Sequence, residues 1–247
     1  MSGESKRVVA MGDLHCGHVA GLTPPEWAYR READDVYLKH FAETQHTVWS
    51  WYENVCKSLQ PVDVLIVNGD AIDGRGEASG GTELITPDRR EQSVMAAKCI
   101  KEMHAKKVVM TYGTPYHAGK EEDWEAVIAQ EVCAAKIGSH EWFDVNGLIF
   151  DCKHFVSGSI IPHGRHTAIA RDKLWNELWA IRGGQPMADV FIRSHVHYYN
   201  FCGEPGKLMV ILPALQVWSK YGARKHSGII NTGLVSFDVV SKTEYTW

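Results

Sequence analysis

The chain has 247 residues, 45% of them hydrophobic and 23% charged, with a formal net charge of −4. That length is ample for one domain with a sizeable core, and the composition is that of an ordinary globular protein. The acidic balance excludes the basic footprint of a strong nucleic-acid binder, and no run approaches the roughly 20 apolar residues of a membrane helix.

The opening MSGESKRVVA has no long apolar stretch, so no signal peptide is expected. RVVAM (7–11) is a buried-strand candidate. Residues 33–59 contain no proline or glycine; Val36, Leu38, Phe41, Val48, Trp51, Tyr52 and Val55 fall near helical spacing, which predicts a long helix. VDVLIVNGD (62–70) is a second strand, followed by a glycine-rich loop over 74–81. Pro87 sits where a helix running to about Lys106 would begin. A third strand is expected over 106–114, and then a helix over 121–138 with an acidic first turn and Gly138 as its stop.

Beyond this point strands become more frequent. Residues 142–155 read as a hairpin turning at Asn146-Gly147. Residues 166–182 read as a helix with Thr167 as its cap, and the four-residue spacing of Trp175 and Trp179 suits a packing face. Strands follow at 188–199, 207–216 and 233–240. No repeat or linker divides the chain, so residues 1–247 are expected to form a single α/β domain. Six scattered cysteines with no CxxC pair point to a reduced, cytoplasmic protein with buried thiols.

Thirteen histidines are informative by position. Four strand candidates run straight into polar groups: Gly12-Asp13-Leu14-His15, Gly69-Asp70-Ala71-Ile72-Asp73, Gly113-Thr114-Pro115-Tyr116-His117, and Ser194-His195-Val196-His197. A fifth leads to His154. In α/β sheets, sites form outside the carboxyl ends of strands. Aspartate with neutral histidine suits a borderline divalent transition metal. A carboxylate can bridge two such ions, and a pair of ions can clamp both oxygens of a displacement at phosphorus. Gly12, Gly69 and Gly113 allow the tight turns and close approach this needs. A zinc site built from His15, Cys16 and His18 is set aside, because the spacing is too tight.

The five segments, in order and over residues 7–199, resemble the DxH, GDxxD, GNH, lone-histidine and GHxH motifs of the calcineurin-like metallophosphoesterases; the length and GTPYHAG also look like phage-type members. The resemblance implies a two-sheet β-sandwich flanked by helices, a four-layer αββα fold. It implies two divalent ions, manganese first, with iron, zinc or nickel as alternatives. Asp13, His15 and His197 would bind one ion, His154 and His195 the other, and Asp70 would bridge. A bridging hydroxide would attack phosphorus in line. The expected substrate is a phosphoester, a diester before a monoester: DNA, RNA or a small nucleotide, in the cytoplasm or in host cytoplasm if the protein is phage-encoded. No membrane is involved, and the oligomeric state is not legible.

Two departures stand out. Thr114 replaces the family's asparagine ligand, and the following histidine comes later, as His117. His117 is therefore expected either to supply the missing ligand beside His154 and His195 or to remain the acid at the leaving group. Ser194 replaces a glycine, with little consequence expected. Arg165, in IPHGRHT (161–167), would grip phosphate, although a solvated loop is the plainer reading of that segment. Asp73 is expected to support rather than bind, and His18 to be structural or to touch substrate. Loops 17–32, 74–87 and 220–228 would set the substrate. The alternative to an enzyme is a non-catalytic metal-binding or scaffold module with a decayed second site, motivated by the lost asparagine and opposed by the ligands that remain.

Overall fold

Three apolar runs of the first half and one short segment beyond it pair side by side as parallel strands, and this pairing places the polar ends of the three runs on one rim. In the computed structural model, which describes residues 4–30, 36–119, 123–219, 223 and 229–247, these are β1 (Lys6–Met11), β2 (Val64–Asn68), β3 (Lys107–Thr111) and β4 (Lys136–Gly138). Between them lie helices α1 (Val36–Leu59), α2 (Arg89–Glu102), the single turn α3 (Pro115–Ala118) and α4 (Trp124–Glu131). The second sheet uses β5 (Glu141–Val145), β6 (Leu148–Cys152), β7 (Val190–Arg193), β8 (Asn200–Glu204) and β9 (Lys207–Ile211), with α5 (Arg165–Ile181) ahead of β7. β10 (Val235–Ser241) and β11 (Glu244–Thr246) return to the first sheet. The sheet orders are β11-β10-β1-β2-β3-β4 and β5-β6-β7-β9-β8, with β6, β7 and β9 mutually parallel.

The layers follow from alternation along the strands. Val8, Ala10, Ile66 and Phe237 of the first sheet face Phe150, Ile192 and Val210 of the second and form the core between the sheets. The opposite faces of β1 and β2, through Val9, Met11, Leu65 and Val67, meet Trp49 and Tyr52 of α1 and Met95 and Ile100 of α2. Phe191, Met209 and Ile211 meet Ala168 and Ile169 of α5. The result is two sheets face to face between helices, as the motif pattern implies.

Several elements differ from the sequence expectation. The buried stripe of α1 is Phe41, Gln45, Trp49, Tyr52 and Cys56, whereas Val36 and Trp51 are exposed. Gln45 belongs inside because its amide donates to the Val19 carbonyl and accepts from the Tyr29 amide. Helix α2 is capped by Asp88, whose side chain accepts from Arg90 N, so Pro87 stands outside it. The helix expected over 121–138 stops at Glu131, and Gly138 is a strand residue rather than a helix stop. Thr167 lies inside α5, whose N-cap is Gly164 with no side-chain bond. Trp175 and Trp179 share a face, but that face points to solvent (54% and 49% exposed). The loop residues Lys220, Arg224, Lys225 and His226 lie outside the described residues. No helix is long and apolar enough to cross a membrane among the described residues.

Candidate metal centre

The loops after β1 and β2 continue the parallel pairing of their strands. Asp13 N donates to Gly69 O (3.0 Å), His15 N to Asp70 O (3.1 Å) and Cys16 N to Ala71 O (3.0 Å). Asp13 and Asp70 are thereby fixed side by side. The second sheet joins them through His195 N, which donates to Asp13 Oδ2 (3.0 Å), and through Asn68, whose amide donates to Ser194 Oγ (2.8 Å). Ser194 is thus more than a small replacement for glycine: its hydroxyl ties the β7 end to the β2 end. Glycine is required at 69, where φ is +79° and a Cβ would stand 2.6 Å from His154 Nδ1. At Gly113 a Cβ would overlap Asp70 Oδ1.

Asp13, His15, Asp70, His195 and His197 all have left-handed backbone, with φ of 51°, 46°, 50°, 76° and 55°. His195 and His197 therefore do not alternate as strand residues, and both can face inward.

Ring tautomers are set from behind. His15 Nδ1 is 3.0 Å from Asp73 Oδ1, His117 Nδ1 is 2.7 Å from the Asp73 carbonyl, and His154 Nδ1 is 2.7 Å from the Asn68 carbonyl. A carbonyl or carboxylate can only accept, so each Nδ1 carries the hydrogen and each neutral ring keeps a lone pair on Nε2. These Nε2 atoms converge. His15 Nε2 and His197 Nε2 are 3.2 Å apart. Asp13 Oδ1 lies 3.5, 3.9 and 4.0 Å from the Nε2 atoms of His197, His15 and His154. This oxygen is buried with no hydrogen-bond partner among the described residues, a costly arrangement unless a cation satisfies it.

Three overlapping groups have donor atoms mutually within 4.8 Å: Asp13, His15 and His197; His15, Asp70 and His117; and Asp70, His154 and His195. Ligands about 2.1 Å from one ion stand roughly 3.0–3.5 Å apart around it, so the spacings and donor types fit divalent metal. The seven residues weighed as metal ligands from the sequence all fall in these groups. Arg165 does not: its guanidinium stacks on Tyr198, 4.3 Å from the ring centroid. His18 is buried, with Nδ1 accepting from Ala20 N, which is a structural role.

Of the two roles expected of His117, a ligand beside His154 and His195 does not match the donor groups, in which it joins His15 and Asp70. Thr114, at the asparagine's place, turns onto the carboxylate: its N–H and hydroxyl donate to Asp70 Oδ1 at 2.7 and 3.1 Å.

The charges interlock. Burial alone would raise the Asp70 carboxyl, but His154, 3.0 Å from Oδ2, holds it far below the usual carboxylate range; burial likewise opposes His154, and Asp70 pushes it up to about 10. Burial, then His117 and His197, push His15 well down, and burial followed by His154 lowers His195. Burial opposes His197 as well, but Asp13 raises it on balance.

Sequence reasoning missed Glu125. It is wholly buried on α4 and accepts from Ala71 N (3.0 Å) and from Gly113 N, clamping the loops after β2 and β3 together. Burial and the nearby Asp70 raise its carboxyl to about 7. Its one sequence signal was the acidic first turn of that helix.

No family model matches the chain, and no curated protein matches it significantly. Among solved structures it is similar to Vps29 of Chaetomium thermophilum, at 8% identity and a TM-score of 0.51 over 96% of this chain and 86% of that one. Looser likenesses are Zn2+-complexed Vps29 of Entamoeba histolytica (11%, TM-score 0.49, 94% and 86% covered) and an archaeal phosphodiesterase (16%, TM-score 0.47, 97% of each chain). At such identities the likeness is one of fold. Two face-to-face sheets between helices, with an Asp/His rim at the strand ends, are the fold of the calcineurin-like metallophosphoesterases.

Proposed function

We propose that the protein is a binuclear metal-dependent phosphoester hydrolase acting on phosphodiesters, nucleic acid or small nucleotides, in a reducing cytoplasm where its six unbridged cysteines are at ease. The observation that carries this reading is the convergence of imidazole lone pairs on a buried, unpartnered Asp13 oxygen. Donor atoms of these types at these spacings suit a divalent cation.

Asp13, His15 and His197 would hold one ion and His154 with His195 the other; Asp70 would serve both, since it belongs to two of the donor groups. Manganese is the favoured metal, with iron, zinc and nickel as alternatives. When bound, the ions supply a water acidic enough to serve as nucleophile near neutral pH, together with positive charge at the phosphoryl oxygens. The chain's own residues prepare the ground. Asp73 and the Asn68 carbonyl hold His15 and His154 in the ligating tautomer. Thr114 fixes the orientation of Asp70. Arg165 opens α5 beside the loop that carries His197, where it would meet a substrate phosphate after leaving Tyr198.

The test is hydrolysis of a chromogenic phosphodiester by chelated protein before and after manganese is restored. Turnover that vanishes on chelation and returns with manganese is expected. Metal uptake without turnover of diester or monoester would instead favour a non-catalytic module.

A further inference from the structure

We infer that His117 ligates the ion held by His15, not the ion held by His154 and His195, and that the centre is therefore unequal, with one tightly held ion and one loosely held. The inference rests on the binuclear reading above.

One aspartate anchors both rings. Asp73 Oδ1 is 3.0 Å from His15 Nδ1 and 3.6 Å from His117 Nδ1, and the Asp73 carbonyl takes the His117 Nδ1 hydrogen at 2.7 Å. With Nδ1 spent, His117 offers Nε2 alone, and its ring meets the His15 ring edge-on with centroids 4.5 Å apart. The histidine displaced from the family's position has thus joined the His15 side.

Among the described residues no His, Cys, Asp or Glu takes the lost asparagine's place on the other side. The hydroxyl of Thr114 is committed to Asp70, and among the described residues the donor group there is Asp70, His154 and His195 only. The His15 side draws on Asp13, His15, His117 and His197 with a share of Asp70, so it gathers more nitrogen donors and more protein ligands. More ligands mean tighter binding, while three leave coordination positions open for water and substrate. A ligating His117 has no free nitrogen to give the leaving group, which then takes its proton from solvent.

The experiment is a calorimetric titration of metal-stripped protein with Mn2+ alone, without substrate. Wild type is expected to show two steps whose Kd values differ at least tenfold. His117→Ala should weaken the tight step by 10–100-fold and leave the weak step within about twofold. His195→Ala should do the reverse. His117→Gln, which keeps the side chain's bulk, guards against a packing artefact, and far-UV circular dichroism reports the fold of each variant. Four results overturn the inference: loss of the weak step in His117→Ala, equal weakening of both steps, no change in either, or a wild-type third equivalent that alone disappears. Wild type that takes up no Mn2+ would sink the binuclear reading itself, a distinct outcome.

Discussion

His15 Nε2 and His197 Nε2 face each other at 3.2 Å, from loops that end strands in opposite sheets. A divalent cation between them would take a lone pair from each ring, so metal should stabilise the folded chain. Manganese at about 100 times its Kd should stabilise the fold by about 2.7 kcal/mol, raising Tm by roughly 5–10 °C for a chain of this size. Differential scanning calorimetry with and without chelator checks this; an unchanged Tm would mean that no ion enters.

Asp73 touches no substrate in this scheme, yet it orients two imidazoles. Asp73→Asn keeps the shape but offers an amide in place of the carboxylate, and metal affinity should fall about 10–100-fold. Equilibrium dialysis with manganese, on a variant whose far-UV spectrum matches wild type, measures the loss.

Asp70 belongs to two donor groups and receives both hydrogen bonds of Thr114. Asp70→Ala should therefore remove metal-dependent diester hydrolysis down to background and lower the number of bound ions. Full manganese-dependent turnover in that variant would refute the bridging assignment.

Glu125 gives a pH dependence with a definite sign. Its folded carboxyl is raised to about 7 from an ordinary 4.5, because of burial and then Asp70. Between those values the unfolded chain has released the proton that the folded chain keeps. Its contribution is present in full below about pH 4.5 and is lost as pH rises through 7, at a cost of roughly 3 kcal/mol. Urea unfolding of metal-stripped protein at pH 5 and pH 8 should show a smaller loss of stability for Glu125→Gln than for wild type. Equal losses would remove Glu125 as the cause.

What the sequence disclosed was local. The runs ending at Met11, Asn68, Thr111 and Arg193 were legible because apolar stretches closed by polar clusters need no partner to be recognised, and Asn146-Gly147 marked its hairpin in the same way. What stayed hidden depends on distant contacts. Lys136–Gly138 is strand because it pairs with β3, which overrides a helical pattern. Trp175 and Trp179 announce a shared face, but the spacing does not say whether the sheet lies on that side; α5 instead seats Ala168, Ile169 and Asn176. Glu125 lies 55 residues beyond Asp70, and only the fold brings its carboxylate behind the Asp70 turn. His117 could be named as a site residue, but which ion it faces depends on where Asp73 holds it.

The left-handed backbone at the ligand positions has an energetic corollary. A non-glycine residue so placed holds energy that the rest of the fold must supply, of order 1 kcal/mol or more. His195, at φ 76°, is half-buried and suited to a direct measurement: in chelator, His195→Gly should be about 1 kcal/mol more stable than His195→Ala by urea unfolding. The turn at His195 therefore carries a backbone cost that the contacts of its ring with His154 and Phe155 help to offset. On the binuclear reading, a glycine there would relieve strain and remove a ligand at one stroke, so stability and metal binding pull in opposite directions at this position.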